Sequence, residues 1–541
     1  MIRRIINSRS KTITFSASLI AFSVGISAIL GLLRDRLLVS YFNVSELDIY
    51  FAAFAIPDFV YGIIITGGVI AAFLPVFSQA IEKNKEDGWN LANNTLNILL
   101  LILLSICFLL FLIAPYLVKV IAPGFSEELL SATVILTRIM LISPVLLGLS
   151  SLFSGILQYF DRFLAYSLAP IFYNVGIIFG ILFFTPYFGL IGLAYGVIFG
   201  SVLHLFIQIP IAYFSGFSYR PIINFKQQEI KRIFYLIIPR IIGQASSKIN
   251  IIVITALAST LAAGSISVFN LANHLQSFPV RVIGVAFAVA AFPAFSKSIA
   301  TQNKEKFLKN FSRVICQVLF LIIPASILVF LLRAQIVRLV LGAEGFGWRE
   351  TQLTAASLGI FAFSFFAAAF VQILVRAFFS FQDTKTPVFA SIISMATSIG
   401  LCFLFIWILG FDNTLHSIIS KILKLETIIN IEVIAFPIAI LISTILHFLL
   451  LIYLLKSKVG DFKNLGIKKC LYKTLFASFF MGTLTFIALR TFGTFITLDT
   501  FFAVLIQTIL ASMVAFLSYI IASKILKSKE LLEIKEAFSN R

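Results

Sequence analysis

The chain has 541 residues, of which 60% are apolar and only 12% charged, with a mean hydropathy of +1.04. A soluble chain carries about 25% charged residues, so a soluble enzyme, a disordered tail protein and a secreted disulfide scaffold are all excluded. The composition is that of a polytopic membrane protein, in which each helical span needs about 20 apolar residues.

The formal net charge is +19. In a soluble protein that excess would point to nucleic acid. Here the basic residues are spread over many short loops, as cytoplasmic loops require, and no nucleic-acid partner is expected. The four cysteines, Cys107, Cys316, Cys402 and Cys470, lie far apart with no CxxC or metal-ligand spacing. Neither a disulfide, nor zinc, nor a cofactor is expected from them. His204, His274, His416 and His447 are equally scattered. Met1-Ile2-Arg3-Arg4 before an apolar run imitates a signal peptide, but the run continues past Gly25, Ser27 and Ala28 into Gly31-Leu32-Leu33. It reads as a retained first span.

Hydropathy predicts an all-α fold of fourteen transmembrane helices, at 14–37, 47–80, 92–122, 130–159, 164–185, 188–214, 230–258, 262–296, 310–341, 352–381, 387–410, 431–456, 471–491 and 498–525. With the N-terminus inside, the termini and the even-to-odd loops with their flanks hold 28 of the 42 Lys and Arg. Both termini are therefore expected in the cytoplasm.

The chain repeats itself weakly. Span 2 ends Pro75-Val76-Phe77-Ser78 and span 8 ends Pro293-Ala294-Phe295-Ser296, 218 residues apart. Pro57 and Gly62 match Pro279 and Gly284 at an offset of 222, as Asp161 matches Asp383. Ala122-Pro123-Gly124-Phe125 after span 3 is echoed by Ala343-Glu344-Gly345-Phe346 after span 9. A period of six helices keeps both copies in one orientation, the parallel-repeat arrangement of transporters that rock about a central site. The expected organisation is an N-lobe at 1–218, a C-lobe at 219–458, and an appended helix pair with a cytoplasmic tail at 459–541. Proline inside spans 2 and 8 frees backbone carbonyls; it marks either a static kink or a hinge.

An ionisable side chain in a span costs roughly 2.5–3.5 kcal/mol at the helix centre, so it faces a cavity or a partner. Arg34-Asp35-Arg36 lies toward the outer part of span 1, with Asp48 at the start of span 2 and Asp58 deeper, beside Pro57. Lys248 lies in span 7, His274 and Arg281 in span 8, and Arg376 near the inner end of span 10. His274 and Arg281 are seven residues apart and share a helix face, about 10 Å apart along the axis. With Arg34 and Lys248 they would make a cationic lining suited to an anionic head group, above all a phosphate. The plainer alternatives are that Arg36, Arg240 and Arg376 snorkel to the interfaces, and that Asp35 only pairs with Arg34.

Several motifs in order resemble one family. Gly31-Leu32-Leu33-Arg34-Asp35 resembles its G-x-x-R-D signature, and Asp48 through Phe54-Ala55-Ile56-Pro57 its D-A-F-x-x-A-F-x-x-P segment. Ala72-Phe73-Leu74-Pro75, Ala122-Pro123-Gly124-Phe125 and Asp383-Thr384-Lys385-Thr386-Pro387 resemble three more of its motifs. On these the chain is identified as a member of the MurJ (MviN) family of bacterial lipid II flippases, within the MOP superfamily. The resemblance implies two six-helix lobes around a central cavity and a helix pair forming a groove for the lipid tail. It implies transport of undecaprenyl-pyrophosphate-linked peptidoglycan precursor between leaflets of the inner membrane, with membrane lipids and the cell-wall synthesis machinery as partners. It assigns Arg34, Asp35 and Asp48 to the substrate site. Asp383 and Lys385, with the two proline–glycine pairs, are expected to act in gating.

Three positions depart from the family pattern. Cavity arginines found in relatives are replaced by Ala28, Gly62 and His274, and Lys248 and Arg281 are expected to compensate. Spans 7, 11 and 12 contain no interior Asp or Glu, so no sodium site is expected. The 413–430 segment looks long for the family and has the pattern of an amphipathic surface helix. The rival readings are another MOP transporter for polysaccharide lipids or drugs, a membrane glycosyltransferase and a channel. The enzyme would need a polar loop with paired carboxylates or a metal motif, and no such loop is found.

Overall fold

The computed structural model describes residues 13–63, 69–343, 345–460, 465–495 and 500–533, with backbone alone at 13–21, 71, 238–240, 242 and 243. The Met1–Arg4 stretch, Glu344, Lys463 and the Arg240 side chain lie outside the described residues. Every regular element described is a helix, as expected where lipid offers the backbone no hydrogen-bonding partner.

The first ten helices used below are α1 (Ile13–Tyr41), α2 (Val44–Val60), α3 (Ile70–Lys83), α4 (Lys85–Ile121), α5 (Glu127–Met140), α6 (Ile142–Tyr159), α7 (Phe163–Phe179), α8 (Leu190–Phe206), α9 (Ile209–Phe214) and α10 (Gln228–Ser259). The next ten are α11 (Ser265–Pro279), α12 (Ala286–Ala300), α13 (Lys304–Leu341), α14 (Trp348–Ala362), α15 (Phe365–Ser380), α16 (Lys385–Leu409), α17 (Thr414–Leu423), α18 (Ala435–Val459), α19 (Ile467–Phe495) and α20 (Phe501–Ile525).

Helix occupies every one of the fourteen predicted intervals. Among the described residues ten helical stretches are long and apolar enough to cross a membrane, or eleven if α14 and α15, bent by 51°, count as one span. The other three intervals are α1, α2 with α3, and α10. Of the amphipathic segment predicted at 413–430, Thr414–Leu423 forms α17, whose Leu415, Ile418 and Ile422 are exposed, and the remainder is irregular.

The chain divides into two compact units, 1–267 and 268–541. In the first, α10 packs on α2, α3 and α4. Helices α7 and α8 meet backbone to backbone: a methyl on Gly176 would lie 2.3 Å from the Gly200 Cα, the small-residue packing typical of membrane helices. An aromatic cluster of Phe73, Phe77, Trp89, Tyr159 and Phe160 fills one end of this unit.

The stretch after residue 217, where the sequence places the passage between lobes, is clamped to α4 by buried asparagines. Asn93 Nδ2 donates to the Ser218 carbonyl (2.9 Å) and its Oδ1 accepts from Arg220 N–H (2.8 Å). Asn94 donates to the Asn224 carbonyl (2.9 Å) and accepts from Asn224 N–H (2.8 Å). Asn97 donates to the carbonyls of Arg220 (2.9 Å) and Ile222 (3.0 Å). The side-chain amides thus serve an irregular backbone as a neighbouring strand would.

The same devices recur in the two units. Helices α4 and α13, of 37 and 38 residues, each begin after an asparagine, Asn84 or Asn303, whose side chain accepts a backbone N–H of the first turn. Each is followed by a broken helix, α5–α6 or α14–α15. In each, a left-handed residue ends that break's second half: Asp161 (φ 56°) and Gln382 (φ 59°). The next N–H then bonds five residues back, Arg162 to Leu157 (2.9 Å) and Asp383 to Phe378 (3.1 Å), closing the same helix-ending turn. The backbone repeat therefore runs at 221 here, and Asp161 corresponds to Gln382, not to Asp383. Sequence identity misplaced the match by one residue because the turn fixes backbone geometry and leaves the side chain open. A wider, π-type turn follows both matched prolines, at 61–63 after Pro57 and at Val280–Val285 after Pro279.

Replacing Asn94 by alanine removes both halves of its pairing with the partly buried backbone of Asn224. It is expected to destabilise the protein by roughly 1–2 kcal/mol, read as a lower melting temperature in detergent; an unchanged melting temperature would remove the clamp from the account.

Candidate functional site

Adjacent residues of a helix point about 100° apart, so an ion pair between them requires the longer side chain to curl back. Arg34 does this on α1. Its Nε (3.1 Å) and Nη2 (2.7 Å) both donate to one oxygen of Asp35. The Asp35 side chain is 3% exposed and that of Arg34 17%. Tyr50 of α2 and Tyr173 of α7 are its electrostatic neighbours. Two turns earlier, Asn174 of α7 donates to Ser27 through both its carbonyl (3.2 Å) and its hydroxyl (3.1 Å). That link fixes the rotation of α1, and hence the side on which Arg34 emerges.

A second ion pair joins Asp58 of α2 to Lys248 of α10. Both side chains are partly buried, 31% and 22% exposed. The lysine stem crosses α2 over Gly62, one turn beyond Asp58. A methyl group on Gly62 would lie 2.2 Å from the Lys248 Cε, 3.0 Å from Cδ and 3.1 Å from Cγ. The space above residue 62 is filled by the side chain of another helix.

Asp48, also on α2, acts as a cap. One carboxylate oxygen accepts from Gly264 N–H (2.7 Å), the other from Ser267 N–H (2.8 Å) and the Ser267 hydroxyl (2.6 Å). It thereby satisfies the donors left over at the start of α11 and meets the positive end of that helix. Gly264 has φ 86°, a left-handed turn that favours glycine. The start of α2 is itself fixed by a reciprocal cap between Asn43 and Glu46, both bonds 3.0 Å. In the Ala122–Phe125 segment, Gly124 N–H bonds the Ser259 hydroxyl (3.1 Å), and a Cβ on Gly124 would lie 2.1 Å from the Ser259 carbonyl oxygen.

In the second unit, His274 lies half-buried in α11, and Arg281 is exposed on the π-type turn that follows Pro279. The ideal helical spacing that would stack the two therefore ends at Pro279, two residues before Arg281. Gly284 lets this turn close on α15: a Cβ there would be 2.7 Å from the Ala369 Cα. Asp383, between α15 and α16, accepts from Thr386 N–H (3.0 Å) and the Thr386 hydroxyl (2.7 Å), and pairs with Lys458 at the end of α18. Lys458 also lies over the rings of Phe378 (5.7 Å) and Phe381 (5.9 Å). Lys385 is exposed. Burial alone would raise the Asp383 carboxyl; the bonds from Lys458 and Thr386 and the lysine charge outweigh it and hold the group below its ordinary 3.8.

The profile of the family described as lipid II flippase MurJ matches residues 38–507. The chain belongs to the MurJ family. A probable lipid II flippase MurJ of Thermotoga maritima is 28% identical over 519 residues, 95% of this chain and 97% of that protein. One from Buchnera aphidicola subsp. Schizaphis graminum is 31% identical over 378 residues, 68% of this chain and 73% of its own. Among solved structures, a lipid II flippase MurJ in an inward closed conformation aligns with a TM-score of 0.72 at 23% identity, covering 94% of this chain and 98% of that one. An inward-facing multidrug resistance MATE transporter of the MOP superfamily aligns with a TM-score of 0.68 at 16% identity, covering 83% and 99%. Both structures share the fold with this multi-pass membrane protein.

Against the MurJ pattern, the structure brings together two groups that the sequence keeps apart. Arg34 and Asp35 are found as a pair. Lys248 meets Asp58, which the sequence reading noted but did not join to the site, because 190 positions separate the two. Asn174 and Tyr173 were missed altogether, since an Asn beside a Tyr in an apolar run carries no periodic signal. The Asn43–Glu46 cap has a recognisable N-x-x-E spacing and was open to reading.

The folded value of Asp383 lies below the unfolded one. Its clasp therefore contributes fully above about pH 3.8 and is lost as the pH falls through the folded value. The contribution is modest, since Lys458 is 40% exposed and screened by solvent. Asp383→Asn is expected to lower the melting temperature at neutral pH, with the gap from wild type closing on acidification below that value; a gap that stays constant down to acid pH would contradict the assignment.

Proposed function

We propose that this protein is a lipid II flippase that carries undecaprenyl-pyrophosphate-linked peptidoglycan precursor from the inner to the outer leaflet of the bacterial inner membrane by alternating access. The reading places fourteen spans in the membrane with both termini in the cytoplasm. It treats 1–218 and 219–458 as the two rocking lobes and the segment from 459 as the seat of the lipid tail. Membership of the MurJ family supports the substrate class. The observation that carries the mechanism is the pair of ion pairs set in apolar helices, Arg34–Asp35 and Lys248–Asp58.

The head group is a diphosphate. A guanidinium has five donors and an ammonium three, and Arg34 directs two and Lys248 one of theirs to a carboxylate. In the proposed cycle a diphosphate, with more charge than a carboxylate, draws on the remaining donors of both cations and shares them with Asp35 and Asp58. The π-type turns after Pro57 and Pro279, together with Gly62 and Gly284, are the places where α2–α3 and α11–α12 bend. Asp48 holds the start of α11 while this occurs, and the Asp383–Lys458 clasp with Lys385 tethers the α15–α16 turn. An inside-negative potential favours outward movement of an anion by about 2.3 kcal/mol per charge per 100 mV. The protein acts as a carrier, with no chemical step.

A multidrug exporter is the rival, because the MATE fold is shared. That structure is covered almost whole while 17% of this chain is left over, where the MurJ structure leaves 6%. Complementation separates the two: expressed in a bacterium depleted of its own lipid II flippase, this chain is expected to restore growth and cell shape. A chain present in the membrane that fails to rescue would favour drug or polysaccharide export.

The cation above residue 62 can be moved back to its own helix. Lys248→Ala is expected to reduce transport by on the order of tenfold, the effect of losing one charged hydrogen bond. Gly62→Arg alone is expected to be impaired, since any side chain there collides with Lys248. The double variant Gly62→Arg/Lys248→Ala is expected to recover transport; a double variant as poor as its weaker parent would show that position, and not charge at this place, is what matters.

A further inference from the structure

Three metal-ligating side chains that the proposed transport cycle does not use converge at one end of the second unit. They are Cys316 of α13, Cys470 of the first turn of α19 and Glu530 just beyond α20. Their two thiol sulfurs and a carboxylate oxygen all lie within 4.8 Å of one another. Cys470 is buried, and the other two are half-buried.

The surroundings hold the three donors in place. The Ser312 hydroxyl donates to the Leu465 carbonyl (2.7 Å), setting the entry to α19 against α13. Lys473 Nζ donates to the Lys527 carbonyl (2.9 Å), just before Glu530. Just after it, Glu533 accepts from Gln317 Nε2 (2.7 Å) and pairs with Arg313 (3.5 Å). Glu530 thus sits between two fastenings that lay the tail across α13 and α19. Tyr519 adds a third, donating to the Phe320 carbonyl (2.7 Å) inside the apolar cluster of Phe320, Ala477, Met481, Ala515 and Ala522.

We propose that Cys316, Cys470 and Glu530 bind a zinc-class divalent cation that clasps the α19–α20 pair and the tail onto α13. Zinc takes thiolate sulfur at about 2.3 Å and carboxylate oxygen at about 2.0–2.2 Å. In a tetrahedron two such bonds set donors roughly 3.5–3.8 Å apart, so the three present atoms, within 4.8 Å of one another, need a contraction of about 1 Å. Thiolates select zinc over magnesium and calcium, which prefer oxygen. Both thiols release their protons on binding; water completes the tetrahedron, and Lys473 offsets part of the resulting negative charge. A disulfide would engage the two sulfurs and leave the carboxylate without a part. If the termini are cytoplasmic, as in the proposed orientation, that compartment keeps thiols reduced. Ligand spacing did not disclose the site because the donors come from α13, α19 and the tail; Cys316 and Cys470 alone are 154 positions apart.

The test uses full-length protein purified under reducing conditions, loaded with zinc chloride and desalted. Wild type is expected to retain about one zinc per chain, as is Cys107→Ser. Cys316→Ser and Cys470→Ser are expected to retain none. Glu530→Gln is expected to weaken binding by more than the roughly 10–100-fold of an outer-shell loss. Cobalt loading should give thiolate-to-metal charge-transfer absorption that both serine variants lack. Because the serine replacements are nearly isosteric, their melting temperatures without metal should match wild type, and only wild type should rise on adding zinc. Zinc retention by the double serine variant equal to wild type, no retention by wild type, or recovery of the pair as a disulfide would each overturn the site.

Discussion

A charge placed among apolar helices persists only where another group meets it. That constraint organises the first unit. Each aspartate in α1 and α2 has its own answer: Asp35 has the Arg34 guanidinium, Asp58 the Lys248 ammonium, and Asp48 the N–H groups at the start of α11. The three solutions differ in what they allow. A helix cap is a fixed joint, since its donors belong to the backbone. An ion pair is exchangeable, because a second anion can take over some of the cation's donors without leaving the carboxylate unsatisfied. Asp48 is in this sense a structural anchor beside two exchangeable pairs.

The framework of spans was legible because apolar runs and charged breaks are strong signals, and Arg34–Asp35 was legible because two ionisable residues stand alone in such a run. Long-range partnership was not. Nothing in the sequence ties Asp58 to Lys248, or Asp48 to the 264–267 turn, because each connection is made by packing between helices distant in the chain. The sequence reading placed Asp48 in the substrate site; its geometry is that of a cap. The repeat was legible in proline and loop patterns, yet its register was off by one at Asp161, where the left-handed turn and not the aspartate is what recurs.

The two units share backbone devices far more than side-chain chemistry. Asparagine caps, broken fourth helices, left-handed turns and π-type turns all recur. The intramembrane carboxylates do not: α11, α12, α15, α16 and α18 contain no aspartate or glutamate, whereas α1 and α2 contain several. The backbone geometry thus supplies two similar interrupted helices. The helix interiors differ in charge: the aspartates lie in α1 and α2, while these second-unit helices carry none.

Gly62 shows why a charge has to be located in space. Read along one helix, this glycine stands where the family resemblance implies an arginine, and it reads as a missing cation. Read in space, the absence of a side chain is what admits Lys248, whose stem occupies that volume and whose ammonium reaches Asp58. A residue larger than glycine at 62 would make the lysine stem shift, and a shorter residue at 248 would take the ammonium away from Asp58. The two positions are therefore one packing unit contributed by two segments. A motif comparison that scores each helix separately counts the first as a loss and the second as an unexplained extra.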